Sequence, residues 1–165
     1  MNVHKRKSGK SIRLGIVVSD YYTSISEGLL SGAFDVLNQH NGVQSETVRV
    51  SGAWEIPLIV KIMADSGQFH GIIALGCVIR GETAHFDYIC EQCSFALMNV
   101  GLDYGIPVGF GILTADTKDQ AVYRSRRNQP NNKGAEAAEA VMSSVDVIAK
   151  LPQGLCFQKE HCSQI

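Results

Sequence analysis

Arg80, Gly81, Glu82, Thr83 and His85 follow directly on an apolar run from Ile72 to Ile79. A histidine suits proton transfer near neutral pH. Arginine, threonine and free backbone N–H groups at a helix start suit a phosphate. Three other short stretches carry comparable groups: Tyr21 and Tyr22, Trp54 and Glu55, and Phe110 with Thr114 and Asp116. Arg124 and Lys133 come later in the chain. Aromatic residues from two or more of these stretches, if gathered, would hold a flat ring by stacking, with backbone groups reading its edge. Taken singly, none of them decides the matter. A lone histidine at a helix start also fits a cap or a surface residue, a tryptophan also fits a core, and Arg124, Arg126 and Arg127 also fit a solvated face.

Several chemistries find no support in the residues. No GxGxxG follows the first strand pattern and no Walker motif is present, which argues against dinucleotides and nucleoside triphosphates. There is no carboxylate cluster of the kind that holds a metal, and no serine in a nucleophile elbow. Five cysteines make an odd count. Cys90 and Cys93 form a CxxC, but no second CxxC or paired histidine follows at metal-site spacing. Three residues apart on a helix, they are neighbours on one face and read as structural thiols, reduced in a cytoplasm-like compartment. A formal net charge of −1 gives no support to nucleic acid or an anionic membrane as partner. No apolar run reaches transmembrane length and no apolar leader follows Met1.

The elements that must position these groups follow from periodicity. Arg13–Val18 is a first buried strand, with Thr23 or Ser24 as N-cap of a helix carrying Ile25, Leu29, Ala33, Val36, Leu37 and His40, stopped by Asn41 and Gly42. Glu46–Val50 is a second, more alternating strand, and Pro57 belongs in the first turn of the helix after it. The run from Ile72 to Ile79 is a third strand, followed by a helix that ends at Gly105. Pro107–Leu113 is a fourth, followed by a helix with Gln120, Ala121 and Arg124. A polar break spans Arg126–Asn132, and a last amphipathic helix from about Lys133 aligns Ala135, Ala138, Met142, Val145 and Ile148. Strands alternating with helices, each strand apolar throughout, predict an α/β fold: a four-stranded parallel sheet with helices on both faces. The strand exits then share one edge, where ligands bind in such sheets. A single domain over residues 13–151 is expected, between a flexible basic arm (1–12) and a flexible tail (152–165).

At this point the motifs resemble a known family. Ser51–Pro57 (SGAWEIP) is similar to the PGAxEIP motif of lumazine synthases, and Gly76–Tyr88 (GCVIRGETAHFDY) to their GxVIRGxTxHxxY stretch. Leu29–Ala33 (LLSGA), Pro107–Thr114 (PVGFGILT), Asp119–Arg124 (DQAVYR) and Asn132–Ala138 (NKGAEAA) match further family motifs in order. The resemblance covers roughly residues 14–150. It implies a flavodoxin-like three-layer sandwich and a transferase, working without cofactor or metal, in the penultimate step of riboflavin biosynthesis. There, 5-amino-6-(D-ribitylamino)uracil and 3,4-dihydroxy-2-butanone 4-phosphate give 6,7-dimethyl-8-ribityllumazine, phosphate and water. By resemblance Tyr21 stacks on the pyrimidine, Ala53, Trp54 and Glu55 line the ribityl side, and Cys77, Val78, Ile79 and Phe110 hold the ring. Glu82, Thr83 and Arg124, with Lys133 behind them, take the phosphate, and His85 carries protons. The family also implies a cytoplasmic homopentamer with sites between subunits, packing of twelve pentamers into a 60-subunit icosahedral capsid in many members, and riboflavin synthase as a partner.

The chain departs from the pattern in places. Tyr21 and Tyr22 stand where the family usually has Phe-Asn, and Ser51 replaces a proline. The segment from Arg124 to Lys133 is about one residue longer than the common form. These changes keep open a catalytically silent flavin- or lumazine-binding relative, or a shell-forming scaffold; the joint presence of Thr83, His85 and Arg124 argues for the enzyme.

Overall fold

The computed structural model describes residues 11–152. The basic arm before Ser11 and the tail after Pro152, with Cys156 and Cys162, lie outside the described residues. The order is β1 (Ile12–Ser19), α1 (Thr23–Leu37), β2 (Val43–Val50), α2 (Ile56–Asp65), β3 (Gly71–Ile79), α3 (His85–Tyr104), β4 (Val108–Ala115), α4 (Lys118–Ser125) and α5 (Lys133–Lys150). The four strands pair in parallel in the order β2-β1-β3-β4.

The two central strands are the most apolar segments, and they are buried because helices cover both faces. Leu14, Ile16 and Val18 of β1 point with Ile73 and Leu75 of β3 into a core closed by α1, α4 and α5. Val17, Ile72 and Ala74 point the other way, against Ile56, Val60 and Met63 of α2 and Cys93, Leu97 and Val100 of α3. This is the expected three-layer α/β sandwich. The expectation of strands apolar throughout fails at β2. Its sequence VQSETVRV has no buried residue, because it is an edge strand paired only to β1.

Chain order explains where a ligand site must fall. From β1 the chain moves outward to β2 through α1, then returns across β1 to β3 through α2 on the opposite face. The loops after β1 and β3 therefore diverge and leave a crevice at the carboxyl ends of the strands.

Element ends follow local chemistry, with corrections. The N-cap of α1 is Tyr22, not Thr23 or Ser24; Thr23 is the first helical residue and its Oγ1 donates to the Asp20 carbonyl at 3.0 Å. α1 stops at Leu37, so His40 is not helical. Pro57 sits in the first turn of α2, where it gives up no hydrogen bond. Gly105 closes α3 at φ 59°, a left-handed cap that glycine adopts without a Cβ penalty. On α5, Ala138, Met142 and Val145 are buried as expected, whereas Ile148 is exposed. No helix among the described residues is long and apolar enough to cross a membrane.

Candidate functional site

Three strand exits and the start of α3 converge on one cavity of about 400 Å³. Tyr21 and Tyr22 come from the β1 exit, Ser51–Glu55 from the β2 exit, Cys77, Val78 and Ile79 from the end of β3, and His85 and Ile89 from α3. Of the residues expected to bind the pyrimidine and ribityl groups, Tyr21, Ala53, Trp54, Glu55, Cys77, Val78 and Ile79 all line it, together with His85.

Each wall has a local cause. The Asp20–Tyr22 turn is held by Arg49 of β2, whose guanidinium donates to Asp20 Oδ1 and Glu27 Oε1, each at 2.6 Å. Asp20 N–H also bonds the Val50 carbonyl at 2.8 Å. Tyr22 packs onto the core and meets Tyr21 edge to face, ring centroids 4.9 Å apart at 73°. Tyr21 itself is 72% exposed, an aromatic face free to take a ring. On the β2 side, a short 3-10 turn over Ala53–Glu55 buries Ala53 and leaves Trp54 57% exposed. Cys93 fastens this turn from α3, its thiol donating to the Ala53 carbonyl at 3.3 Å.

That bond accounts for one half of the CxxC: Cys93 is a buried strut, and burial pushes its thiol up to about 11. Burial pushes the Cys77 thiol to about 12, and raises Cys90 as well. Cys77 and Cys93, both buried, are thereby held as unreactive thiols at neutral pH, since the thiolate is the reactive form. Alkylation at pH 8 followed by mass spectrometry of the peptides should show Cys77 reacting at least roughly a hundredfold more slowly in the native protein than in the unfolded chain. Equal rates would contradict this burial.

The remaining expected residues lie apart from the cavity lining. Glu82 and Thr83 sit on the exposed loop between β3 and α3, next to the cavity, and Thr83 Oγ1 accepts from His85 N–H at 3.4 Å. Arg124, on α4, donates from Nη1 to the Gln120 carbonyl of its own helix at 3.2 Å. Arg127 grips Asp35 of α1 through Nε and Nη2 at 2.8 and 2.6 Å, which holds the Asp35 carboxyl below its ordinary range. Lys133 opens α5 and is paired with Glu136.

Phe110 corrects the reading of strand exits. It is the third residue of β4, in register with Ala74, whereas Cys77–Ile79 align with Leu113–Ala115. It lines a second cavity of about 460 Å³ with Ser94, Leu97, Met98 and Leu102 of α3. Within one chain it therefore does not meet His85. Ser51, Gly52 and Ile89 are wall residues that the sequence reading did not select for the site, and Tyr22, named there beside Tyr21, lines it too. Ile89 could have been found from its place one helical turn after His85; the others only flank the selected residues.

The family model described as 6,7-dimethyl-8-ribityllumazine synthase matches residues 11–149, from the start of β1 to the last turn of α5 and so including every group of the site. The chain belongs to the 6,7-dimethyl-8-ribityllumazine synthase family, the transferases that form the lumazine precursor in riboflavin biosynthesis.

Proposed function

We propose that the cavity between Tyr21, Trp54 and His85 is where 5-amino-6-(D-ribitylamino)uracil condenses with 3,4-dihydroxy-2-butanone 4-phosphate. The observation that carries this is the meeting of two exposed aromatics, a carboxylate and an imidazole from three separate elements around one cavity. Tyr21 stacks on the pyrimidine, Trp54 and Glu55 face the ribityl chain, and the backbone of Cys77–Ile79 reads the ring edge. The amine of the pyrimidine adds to the butanone carbonyl, water leaves as the imine forms, phosphate is eliminated, and the ring closes with loss of a second water. Each step moves a proton, and His85 is the group that carries it. Most of the rate comes from holding the two reactants together.

The phosphate lies at the start of α3, against the N–H groups and hydroxyl of Glu82 and Thr83, with Arg124 completing the anion site and Lys133 behind it. Among the three arginines of this region, Arg127 is engaged with Asp35, which favours Arg124 for the role. Phe110 reaches the ring from a neighbouring subunit of a homopentamer. This is supported by the apolar surface beside it on α3, where Phe95, Met98 and Leu102 are exposed and need cover. A 60-subunit shell, transfer of product to riboflavin synthase, a single domain spanning residues 13–151 and a cytoplasmic setting complete the reading.

Purified protein given both substrates should form a fluorescent lumazine, and light scattering should give at least a pentamer mass. His85→Ala should slow turnover roughly tenfold with the particle intact, a loss limited because orientation carries much of the rate. Binding of flavin or lumazine without turnover would establish the silent relative instead. Wild-type turnover in His85→Ala would remove the imidazole from the mechanism.

A further inference from the structure

We propose that Arg80 is a positioning residue that sets the spacing between the phosphate loop, the imidazole and the arginine helix. The inference rests on the site reading above and adds to it a residue with no place in the cavity wall.

Beyond the Arg80 N–H bond to the Ala115 carbonyl at 2.9 Å and the long bond from His85 N–H to Thr83 Oγ1, the loop of residues 80–84 is exposed. A side chain at Gly81 would meet nothing within 4 Å, so the loop stands in open space. The N-cap of α3 is Ala84, which supplies no side-chain cap. A loop left so free would place Glu82, Thr83 and His85 loosely, and catalysis by orientation tolerates little looseness.

Arg80 ties this loop to two elements at once. Its Nε donates to Asp116 Oδ1 at 2.9 Å, at the β4 exit, and its Nη1 lies 3.0 Å from Asp87 Oδ1 in the first turn of α3. Its guanidinium also stacks 4.1 Å over the ring of Phe86, the residue after His85. From Asp116 the connection continues: Asp116 N–H donates to Gln120 Oε1 at 3.0 Å, and the Gln120 carbonyl accepts from Arg124 Nη1 at 3.2 Å. One unbroken path thus runs from the residues flanking His85, through Arg80, to Arg124. The planar guanidinium suits this task because it directs separate N–H groups at separate carboxylates, which an ammonium on a flexible stem does less well.

The ion pairs themselves contribute little to folding, since Arg80, Asp87 and Asp116 are all substantially exposed. Function and stability therefore separate in the test. In the full-length assembled protein, Arg80→Gln should raise KM for the butanone phosphate roughly tenfold and lower kcat several-fold, leaving KM for the pyrimidine within about twofold. The thermal midpoint should stay within about 2 °C. Arg80→Lys should recover less than half of the loss, and Asp116→Asn should reproduce the KM effect in part. Unchanged KM for the butanone phosphate in Arg80→Gln overturns the proposal. So does an equal rise for both substrates with a large fall in midpoint, which would mark a merely structural role. Wild-type kinetics in both His85→Ala and Arg124→Gln would instead overturn the assignment of those two residues, an outcome read in different variants.

Discussion

Gly134→Ala is expected to cost about 3 kcal/mol or more and to remove most of the folded protein from solution. Gly134 is the second residue of α5, and it lies directly against the backbone of α1. An added methyl would fall on the Leu29 carbonyl oxygen, 2.6 Å from its carbon and 2.8 Å from its Cα. These are helix backbone atoms, so no rotamer change relieves the clash and one helix must move away from the other. The same contact uses Gly28 and Gly32 of α1, where a methyl would strike the Ser125 carbonyl and the Asn132 side chain. Asn132 occupies the space they leave. Its Nδ2 donates to the carbonyls of Gly28, Ser125 and Arg126 at 2.9–3.1 Å, and its Oδ1 caps α5 by accepting from Gly134 and Ala135 N–H. Separating α1 from α5 therefore also breaks a buried polar knot, and a buried amide without partners is costly. Thermal denaturation followed by circular dichroism, with particle mass in parallel, measures the effect. A midpoint within about 2 °C of wild type would show that the helices can part cheaply.

Arg124→Gln is expected to lower kcat/KM for the butanone phosphate roughly a hundredfold, because charge-assisted bonds to a phosphate contribute about 1.5–3 kcal/mol each. The loss should fall on KM for that substrate and spare the pyrimidine. Arg127→Gln is the matched control. Its guanidinium already holds Asp35, so its loss should leave both KM values within about twofold and release the Asp35 carboxyl towards its ordinary range. The depressed Asp35 carboxyl adds stability above its unfolded pKa, lost in acid as pH falls through the folded value, and Arg127→Gln should flatten that acid limb. A large kinetic loss in Arg127→Gln with none in Arg124→Gln would reverse the assignment.

The alternation of elements and the core strands were written in local composition. A short apolar run bounded by glycine and rich in β-branched residues, such as GIIALGCVI, favours a buried strand, and helical spacing from Ile25 to Leu37 buries one face. The site was partly legible for the same reason: in a parallel sheet all strand exits lie on one edge, so Tyr21, Trp54, Ile79 and His85 had to be neighbours once the elements were right. The family motifs supplied roles that spacing could not.

Other features depend on distance in the chain. That β2 is an exposed edge follows from strand order, which periodicity does not encode. Phe110 looked like an exit residue until register set it opposite Ala74, three or more residues short of the rim. That Arg127 is engaged elsewhere follows from Asp35, ninety-two positions away from it. The work of Asn132 turned on two glycines about a hundred positions earlier, against which it packs. What the amino-acid order determined alone was every element whose driving force is local, namely which stretches bury which face. What only the tertiary structure decided was every contact whose partners lie far apart in the chain, because hydrogen-bond and packing geometry depend on the three-dimensional path between them.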